Sequence, residues 1–310
     1  MSFTSEIKQE IAYNDLKDCC ARAELSALIQ FTSSLTMDEG KWVLLVRSEN
    51  PTCSKRVVYL LKQRYGIKTK LTVTQKTNLR KNKVYTLRIL TDGKELLEEL
   101  GLWSAKGLLE HPRYEIVKKD CCARAYVAGA FIAYGSCNSP SRSNYHLEIS
   151  FDTEEHAVFV QKLITRFSIE SKISHRRNKF LVYLKKADAI SDFLRLAGAH
   201  ESLMNFENSR INRDFKNSLT RLNNCEFANE IKSFDAAKRQ IDSITAVKEA
   251  GKLEALDEKL RNTAEIRLRY PDYTLLELCE EYQRTYGEAL SKSGLKHRLN
   301  KLETIAKGLS

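Results

Sequence analysis

A chain of 310 residues is long enough for two or three domains of ordinary size. A hydrophobic content of 42% with only four prolines excludes a largely disordered chain. No apolar run reaches the ~18 residues of a membrane span, and residues 1–12 lack the apolar core of a signal peptide. We therefore expect a cytoplasmic protein without a membrane partner. The net charge of +11 favours an anionic partner, with nucleic acid as the leading candidate.

The same six residues occur twice in the chain. Asp-Cys-Cys-Ala-Arg-Ala stands at 18–23 and again at 120–125, an offset of 102 residues. Such a repetition indicates an internal duplication. Apolar residues follow each copy with i, i+3, i+4 spacing, which predicts one helix in each half. The second helix, through 127–136, is rich in small side chains, so the helix of the other copy could pack closely against it.

The remaining elements of the two halves follow the same order. The first half predicts helices up to residue 34, a strand over 42–47, a helix over 56–65, strands over 68–77 and 83–90, and a helix over 93–100. The second half predicts a strand over 145–151, a helix over 155–167, strands over 171–175 and 179–185, and a helix over 187–196. Each half therefore reads as an αββαββα unit.

The eight cysteines include two adjacent pairs, Cys19-Cys20 and Cys121-Cys122. None has CxxC spacing, and no group of cysteines and histidines has the spacing of zinc ligands. Adjacent cysteines in an apolar helix behave as small apolar residues. We therefore expect reduced structural thiols, no metal site and no cofactor.

Three further helices are predicted near the C-terminus. The first covers 257–269 and ends where Pro271 follows Tyr270. Asp272 or Thr274 can cap the second helix, whose predicted buried stripe is Leu275, Leu278, Cys279 and Tyr282, and Gly287 lies in the next turn. Ser291 or Ser293 can cap the third helix, which turns Leu295, Leu299 and Leu302 inward.

The outward face of the third helix has the composition of a major-groove reader, with hydrogen-bonding side chains for base edges and cations for phosphates. The last twenty residues hold five basic side chains against Glu303 alone. His297 can serve as a contact or be a merely exposed polar residue, and Arg298 at the flank can bind phosphate or form an ion pair. The predicted DNA contacts are Ser291, Lys292, Ser293, Lys296, His297, Arg298, Asn300 and Lys301.

Two predicted hairpins carry similar basic segments. A secondary DNA or protein contact is predicted at Arg80, Lys81, Lys83, Arg176, Arg177 and Lys179. The alternative interpretation is that these charges only keep the hairpins soluble.

The paired helices, with Val-Ala-Gly-Ala-Phe-Ile-Ala-Tyr-Gly at 127–135, each lead into an αββαββα unit. This pattern resembles the LAGLIDADG homing-endonuclease fold. The resemblance implies two motif helices packed at the centre and flanking sheets that form a basic saddle. The metal-binding acid of that family corresponds to Thr32 and Tyr134 here. Because both acids are missing, we expect no catalytic residues and no nuclease activity, and we expect Tyr134 to pack between the motif helices.

Two further segments resemble the WhiA family, in which degenerate LAGLIDADG repeats precede a helix-turn-helix. They are Asn-Cys-Glu-Phe-Ala-Asn-Glu-Ile-Lys at 224–232, with Asn223 before it, and Leu-Ser-Lys-Ser-Gly-Leu-Lys-His-Arg-Leu-Asn-Lys-Leu-Glu at 290–303. The resemblance implies a bacterial DNA-binding transcription regulator linked to cell division, chromosome segregation or sporulation. The 223–232 segment is either a helix cap and packing element or a surface that recognises a partner.

The predicted fold is therefore α+β, with a duplicated αββαββα LAGLIDADG-like N-terminal domain followed by an all-α helix-turn-helix domain. The expected limits are 1–205 for the repeats (copies at about 1–101 and 110–205), 206–252 for a helical linker and 253–310 for the DNA-binding domain. Double-stranded DNA is the expected partner, at the nucleoid, and a second transcription regulator is a candidate partner of the repeats. The alternatives are an active homing endonuclease and a protein-interaction module with incidental DNA binding.

Overall fold

The computed structural model describes residues 2–75, 83–142 and 144–309. The chain separates into two units, Met1–Arg213 and Asp214–Ser310. The first half of unit one contains α1 (Phe3–Tyr13), α2 (Asp18–Thr32), β1 (Ser33–Asp38), β2 (Lys41–Ser48), α3 (Pro51–Tyr65), β3 (Thr69–Gln75), β4 (Lys83–Ile89) and α4 (Gly93–Glu99). The hairpin of β5 (Trp103–Ser104) and β6 (Gly107–Leu108) and the short helix α5 (Tyr114–Val117) follow. The second half contains α6 (Asp120–Tyr134), β7 (Gly135–Cys137), β8 (Leu147–Phe151), α7 (Glu154–Thr165), β9 (Lys172–Arg176), β10 (Lys179–Leu184) and α8 (Ala187–Ala197).

The two halves have the same sheet topology, which confirms the predicted αββαββα units. The strand orders are β1-β2-β4-β3 and β7-β8-β10-β9, and every pairing is antiparallel. The turns after α3 and α7 also correspond. Gly66 has a left-handed φ of 64°, and Ser168, which lies 102 residues later, has a φ of 59°. A non-glycine residue in this conformation is uncommon, so the shared turn geometry supports the duplication.

Four strands (β1, β5, β6 and β7), the short helix α5 and the start of α3 were not located from the sequence. β1 and β7 begin at the residue after each motif helix, and neither is conspicuous in the sequence: β1 has only two apolar residues and is mostly exposed, and β7 has only three residues. α3 begins at Pro51, five residues before the predicted start, because Asn50 caps it and proline is favoured in the first turn.

The motif helices α2 and α6 pack directly against each other at the centre of unit one. The contact is closest at Gly129, where an added Cβ would lie 2.7 Å from the carbonyl oxygen of Glu24 and 3.0 Å from the Cβ of Ala27. Ala27 is the residue that corresponds to Gly129 in the first copy. The helices therefore approach through equivalent small residues, as the small-residue pattern predicted.

A buried ion pair connects α2 with α3. The Arg56 guanidinium donates to the Glu24 carboxylate at 2.6 Å, and their side chains are only 2% and 1% exposed. The same guanidinium donates to the carbonyl oxygens of Ala12 at 2.8 Å and Asn14 at 3.0 Å. Burial raises the pKa of Glu24, and the hydrogen bond and charge of Arg56 oppose that rise.

Unit two begins within α9 (His200–Glu249) and continues with a 3₁₀ turn (Leu253–Ala255), α10 (Glu258–Arg269), α11 (Leu275–Tyr286) and α12 (Lys292–Lys307). The predicted helical linker lies in α9, which starts six residues before the expected position 206. The expected domain limits of 1–205, 206–252 and 253–310 stay predictions. Among the described residues, no helix combines the length and apolarity needed to cross a membrane.

The core of unit two is built from the predicted apolar faces. Leu278 and Tyr282 of α11 and Leu295, Leu299 and Leu302 of α12 are almost completely buried. Leu275, which was predicted to be buried, is only partly covered and packs at the edge of this core. Between the alternative caps, Thr274 caps α11 in a reciprocal arrangement with Glu277, and Ser291 caps α12.

Candidate nucleic-acid interface

The outward face of α12 carries most of the residues that were predicted to contact DNA. Lys292, Lys296, His297, Asn300 and Lys301 are exposed. Leu295, Leu299 and Leu302 on the opposite side are at most 1% exposed and fix the rotation of the helix about its axis. Within the described part of the chain, Lys296 and Lys301 form no ion pair and no side-chain hydrogen bond. Their charges therefore remain available to phosphates.

The N-terminal end of α12 extends this face. The Ser291 Oγ accepts a hydrogen bond from the Gly294 amide at 3.1 Å and lies 3.2 Å from the Ser293 Oγ. Both serines and Lys292 are exposed. A helix N-terminus carries partial positive charge and free amide groups. This end of the helix is consequently suited to a backbone phosphate.

The carboxylates of the preceding helix are mostly engaged elsewhere. The Glu277 carboxylate accepts from the Thr274 amide at 2.7 Å, which lowers the pKa of Glu277. Glu281 pairs with Arg284 at 3.1 Å. Two of the three carboxylates of α11 are thus engaged within or next to their own helix, and the lysines of α12 have no ion-pair partner among the described residues.

Arg298 occupies a different position from the other predicted contacts. Its guanidinium donates to the Tyr282 hydroxyl at 2.9 Å and lies 3.6 Å from the Glu288 carboxylate. Its side chain is only 15% exposed. Of the two alternatives for Arg298, the ion pair is the one for which the structure provides a partner. Arg298 therefore holds α12 against α11.

The two positions of the missing motif acids lie at the C-terminal ends of α2 and α6. The Thr32 side chain is buried, and its hydroxyl donates to the Leu28 carbonyl at 2.6 Å. Tyr134 is 38% exposed, so the expectation that it packs between the helices was wrong. Tyr134 is the last residue of α6, and it lines a cleft of about 680 Å³ together with Lys8 and Arg47. Asp38, at the far end of β1 from Thr32, is paired with Arg88.

The basic hairpins are described only in part. Arg80 and Lys81 lie outside the described residues, and Lys83 is exposed at the start of β4. Arg176 ends β9, and Arg177 begins a two-residue turn with a φ of 49°. Lys179 is paired with Asp152. The secondary DNA or protein contact at these hairpins stays a prediction, as does the solubilising alternative.

The 223–232 segment lies inside α9, and every residue of it is exposed. Its Phe227 and Ile231 side chains are 65% and 46% exposed. The helix-cap interpretation was therefore wrong, because the segment is far from both ends of α9, and its side chains do not pack into the core of unit two. Recognition of a partner by this segment stays a prediction.

Sequence reasoning missed a cluster of four cysteines. The sulfurs of Cys19, Cys20, Cys121 and Cys122 all lie within 4.8 Å of one another. The spacing of metal ligands along the chain could not reveal this group, because its two pairs are 102 residues apart. The only signal in the sequence was that both pairs occupy the same place in the repeat.

The sulfur atoms in this cluster influence each other's ionisation. Burial raises the pKa of Cys122 to about 12, together with hydrogen bonds to Cys19 and Cys121. Burial acts in the same direction on Cys19, but hydrogen bonds from Cys122, Cys20 and Cys121 outweigh it and lower the pKa of Cys19. Cys19 is therefore the thiol of the cluster whose deprotonation the neighbouring sulfurs favour.

Three family descriptions match the chain and together cover most of it. Residues 18–103 match the WhiA N-terminal LAGLIDADG-like domain, residues 123–216 the WhiA LAGLIDADG-like domain and residues 219–306 the WhiA C-terminal HTH domain.

Relatives of similar length match the entire chain. A probable cell division protein WhiA from Bacillus licheniformis is 43% identical, with 100% of this chain and 97% of the relative covered. The protein of the same description from Bacillus subtilis strain 168 is 43% identical with the same coverage. A crystal structure of full-length DUF199/WhiA from Thermatoga maritima is 23% identical, covers 99% of both chains and has a TM-score of 0.62, which shows a shared fold.

Proposed function

The chain belongs to the WhiA family, with degenerate LAGLIDADG-like repeats and a C-terminal helix-turn-helix domain, and from this premise we propose that it is a sequence-specific DNA-binding transcription regulator. Its proposed role lies in bacterial cell division, chromosome segregation or sporulation, and its proposed location is the nucleoid. The relatives described as probable cell division proteins support the first of these.

One observation carries the proposal: α12 combines a fully buried apolar side with an exposed side of unpaired cations and hydrogen-bonding groups. In a helix-turn-helix the second helix of the motif enters the major groove. α11 and α12 with the turn at Gly287 form this motif. We assign α12 to the groove.

The exposed residues of α12 then divide into two roles. Lys292, Lys296 and Lys301 neutralise phosphates, which supplies affinity without sequence preference. His297 and Asn300 project between these lysines and can bond to base edges, since asparagine pairs well with adenine. Ser291 and Ser293 bind phosphate at the N-terminus of the helix. Arg298 keeps the reading helix in place through Tyr282.

The repeats take a supporting role in this proposal, without nuclease activity. Homing-type cleavage requires divalent metals bound at the ends of the motif helices. The Thr32 hydroxyl at one of these ends donates a hydrogen bond to the Leu28 carbonyl of its own helix, and Tyr134 at the other end has no carboxylate. The hairpin residues Arg176 and Arg177 contribute a secondary contact to DNA or to a second regulator.

Replacing Lys296 and Lys301 by alanine is expected to weaken DNA binding by at least tenfold, because about two phosphate contacts are lost. The slope of log K against log[salt] should become shallower by about 1.8, at about 0.9 per contact. Fluorescence anisotropy of a labelled duplex, titrated with full-length protein over a series of salt concentrations, measures both quantities.

The matched control is Lys238→Ala with Lys248→Ala, which removes the same charge from exposed positions of α9. This control should leave the slope almost unchanged. Equal slopes for wild type and the α12 variant would refute the assignment of α12 to the groove. In the same reactions with magnesium, an intact duplex on a gel is expected, and cleavage would instead favour the endonuclease.

A further inference from the structure

We propose that Cys19, Cys20, Cys121 and Cys122 bind one zinc ion that joins the two repeats of unit one. This site is separate from the DNA-reading helix. Neither the missing motif acids nor the basic hairpins contribute to it.

The distances between the sulfurs match a tetrahedral zinc site. A Zn–S bond of about 2.3 Å in a tetrahedron places neighbouring sulfurs about 3.8 Å apart. The Sγ atoms of Cys19 and Cys20 are 3.9 Å apart, and those of Cys121 and Cys122 are also 3.9 Å apart. Because all four sulfurs lie within 4.8 Å of one another, a single ion at their centre could reach each of them with little movement.

The backbone presents the four ligands in a symmetric arrangement. Each pair occupies the second and third positions of its motif helix, since α2 begins at Asp18 and α6 at Asp120. Asp18 pairs with Arg64 at 3.5 Å, and Asp120 pairs with Arg166 at 2.5 Å. The two arginines are again 102 residues apart. Equivalent ion pairs therefore flank the two cysteine pairs.

The chemistry of the ligands selects a soft, tetrahedral metal. Four thiolates bind zinc or iron in this geometry, whereas magnesium and calcium prefer oxygen. A cluster of several irons requires ligand sulfurs that stand farther apart, because the irons separate them. The compact group of sulfurs therefore favours one mononuclear ion, and zinc is the usual occupant of closed four-cysteine sites.

The position of the site indicates a structural role. Twelve residues separate Cys20 from Thr32 along α2, which corresponds to about 18 Å at 1.5 Å per residue. The ion would thus lie at the end of the helix pair opposite to the missing motif acids. Cys121 is exposed and Cys19 is partly exposed, while Cys20 and Cys122 are buried, so a metal ion can reach the cluster past Cys19 and Cys121.

The test is metal analysis of full-length protein that has been reduced, supplied with zinc and desalted. One zinc per chain is expected. Cys121→Ser should lose this zinc, and its affinity should fall by more than the ~10–100-fold that loss of an outer-shell partner causes. Cobalt in place of zinc should give wild type the charge-transfer and ligand-field bands of a tetrahedral thiolate site, and these bands should be absent from the variant.

Two variants control for the loss of a cysteine elsewhere. Cys225→Ser removes an exposed thiol and Cys137→Ser a buried one, both outside the cluster, and both should retain one zinc. The exposed position of Cys121 makes its replacement compatible with folding, which the fluorescence of Trp42 and Trp103 verifies. Absence of zinc from wild type, retention of zinc by Cys121→Ser, an iron–sulfur chromophore, or a disulfide between the pairs in rapidly alkylated protein would overturn the proposal.

Discussion

Replacement of Arg56 by methionine is expected to lower the free energy of unfolding of unit one by about 3–5 kcal/mol, because it leaves the Glu24 carboxylate buried without its partner. Glu24 is 1% exposed, and the guanidinium of Arg56 lies 2.6 Å from it. The carbonyl groups of Ala12 and Asn14 would also lose their donor. Several buried acceptors would thus be left unsatisfied by a single substitution.

This loss should depend on pH. Burial raises the pKa of Glu24, and without Arg56 the opposing hydrogen bond and charge are gone. The carboxyl pKa in the folded variant then lies well above that of the unfolded chain, which is about 4.3. The part of the penalty that comes from the Glu24 carboxylate is absent below the unfolded pKa and grows as the pH rises towards the folded pKa, whereas the loss at the two carbonyl groups does not depend on pH. The variant should therefore be less destabilised at pH 5 than at pH 8.

Urea unfolding followed by tryptophan fluorescence measures this effect selectively. The protein has two tryptophans, and both Trp42 and Trp103 belong to unit one. The control Arg195→Met removes the exposed ion pair with Asp192 and should cost at most about 1 kcal/mol. The double variant Glu24→Gln with Arg56→Met should recover part of the loss. An Arg56→Met protein as stable as wild type would contradict this role of the pair.

Substitution of Gly129 is expected to separate the motif helices. An added Cβ would lie 2.7 Å from the backbone oxygen of Glu24, which cannot move aside as a side chain can. Gly129→Ala should destabilise unit one by about 1–3 kcal/mol, and Gly129→Val by more. The sign of the change in the free energy of unfolding is informative, since replacing glycine by alanine within a helix usually stabilises the helix by about 0.5–1 kcal/mol.

The same urea measurement applies to Gly129, and Gly294→Ala in α12 is the matched helical control. Its added Cβ would meet only side-chain atoms, at 3.1 Å from Leu290 and 3.2 Å from Ser291. The urea unfolding of unit one should therefore be unchanged, and the helical circular dichroism of the full-length protein should change little. A more stable Gly129→Ala protein would mean that the two helices are not in close contact at this position. The predicted effect of the α12 lysines on DNA binding does not depend on this result, because Gly129 belongs to the other unit.

The local pattern of the sequence was sufficient for most of the longer helices and strands and for the candidate DNA face, although it missed several short elements. Apolar spacing predicted that Leu295, Leu299 and Leu302 would be buried, and burial of one side of a helix determines which residues occupy the other. Lys296 and Lys301 are exposed for this reason. The repeated segment likewise predicted that α2 and α6 would meet, since two equivalent helices with small residues can bury each other. Apolar spacing acts over a few residues within one helix, and the repeat adds only that two such helices are equivalent.

Partners distant in sequence were decided by the tertiary structure alone. Glu24 and Arg56 meet only because α2 packs on α3, and Tyr134 faces a cleft because α6 ends there. Arg298 could be assigned to its ion pair only when Tyr282 and Glu288 were placed around it. The four cysteines show most clearly which contacts the sequence could not predict. The sequence determined that two identical Cys-Cys pairs begin two equivalent helices, and the packing of those helices alone brought the four sulfurs within 4.8 Å of one another.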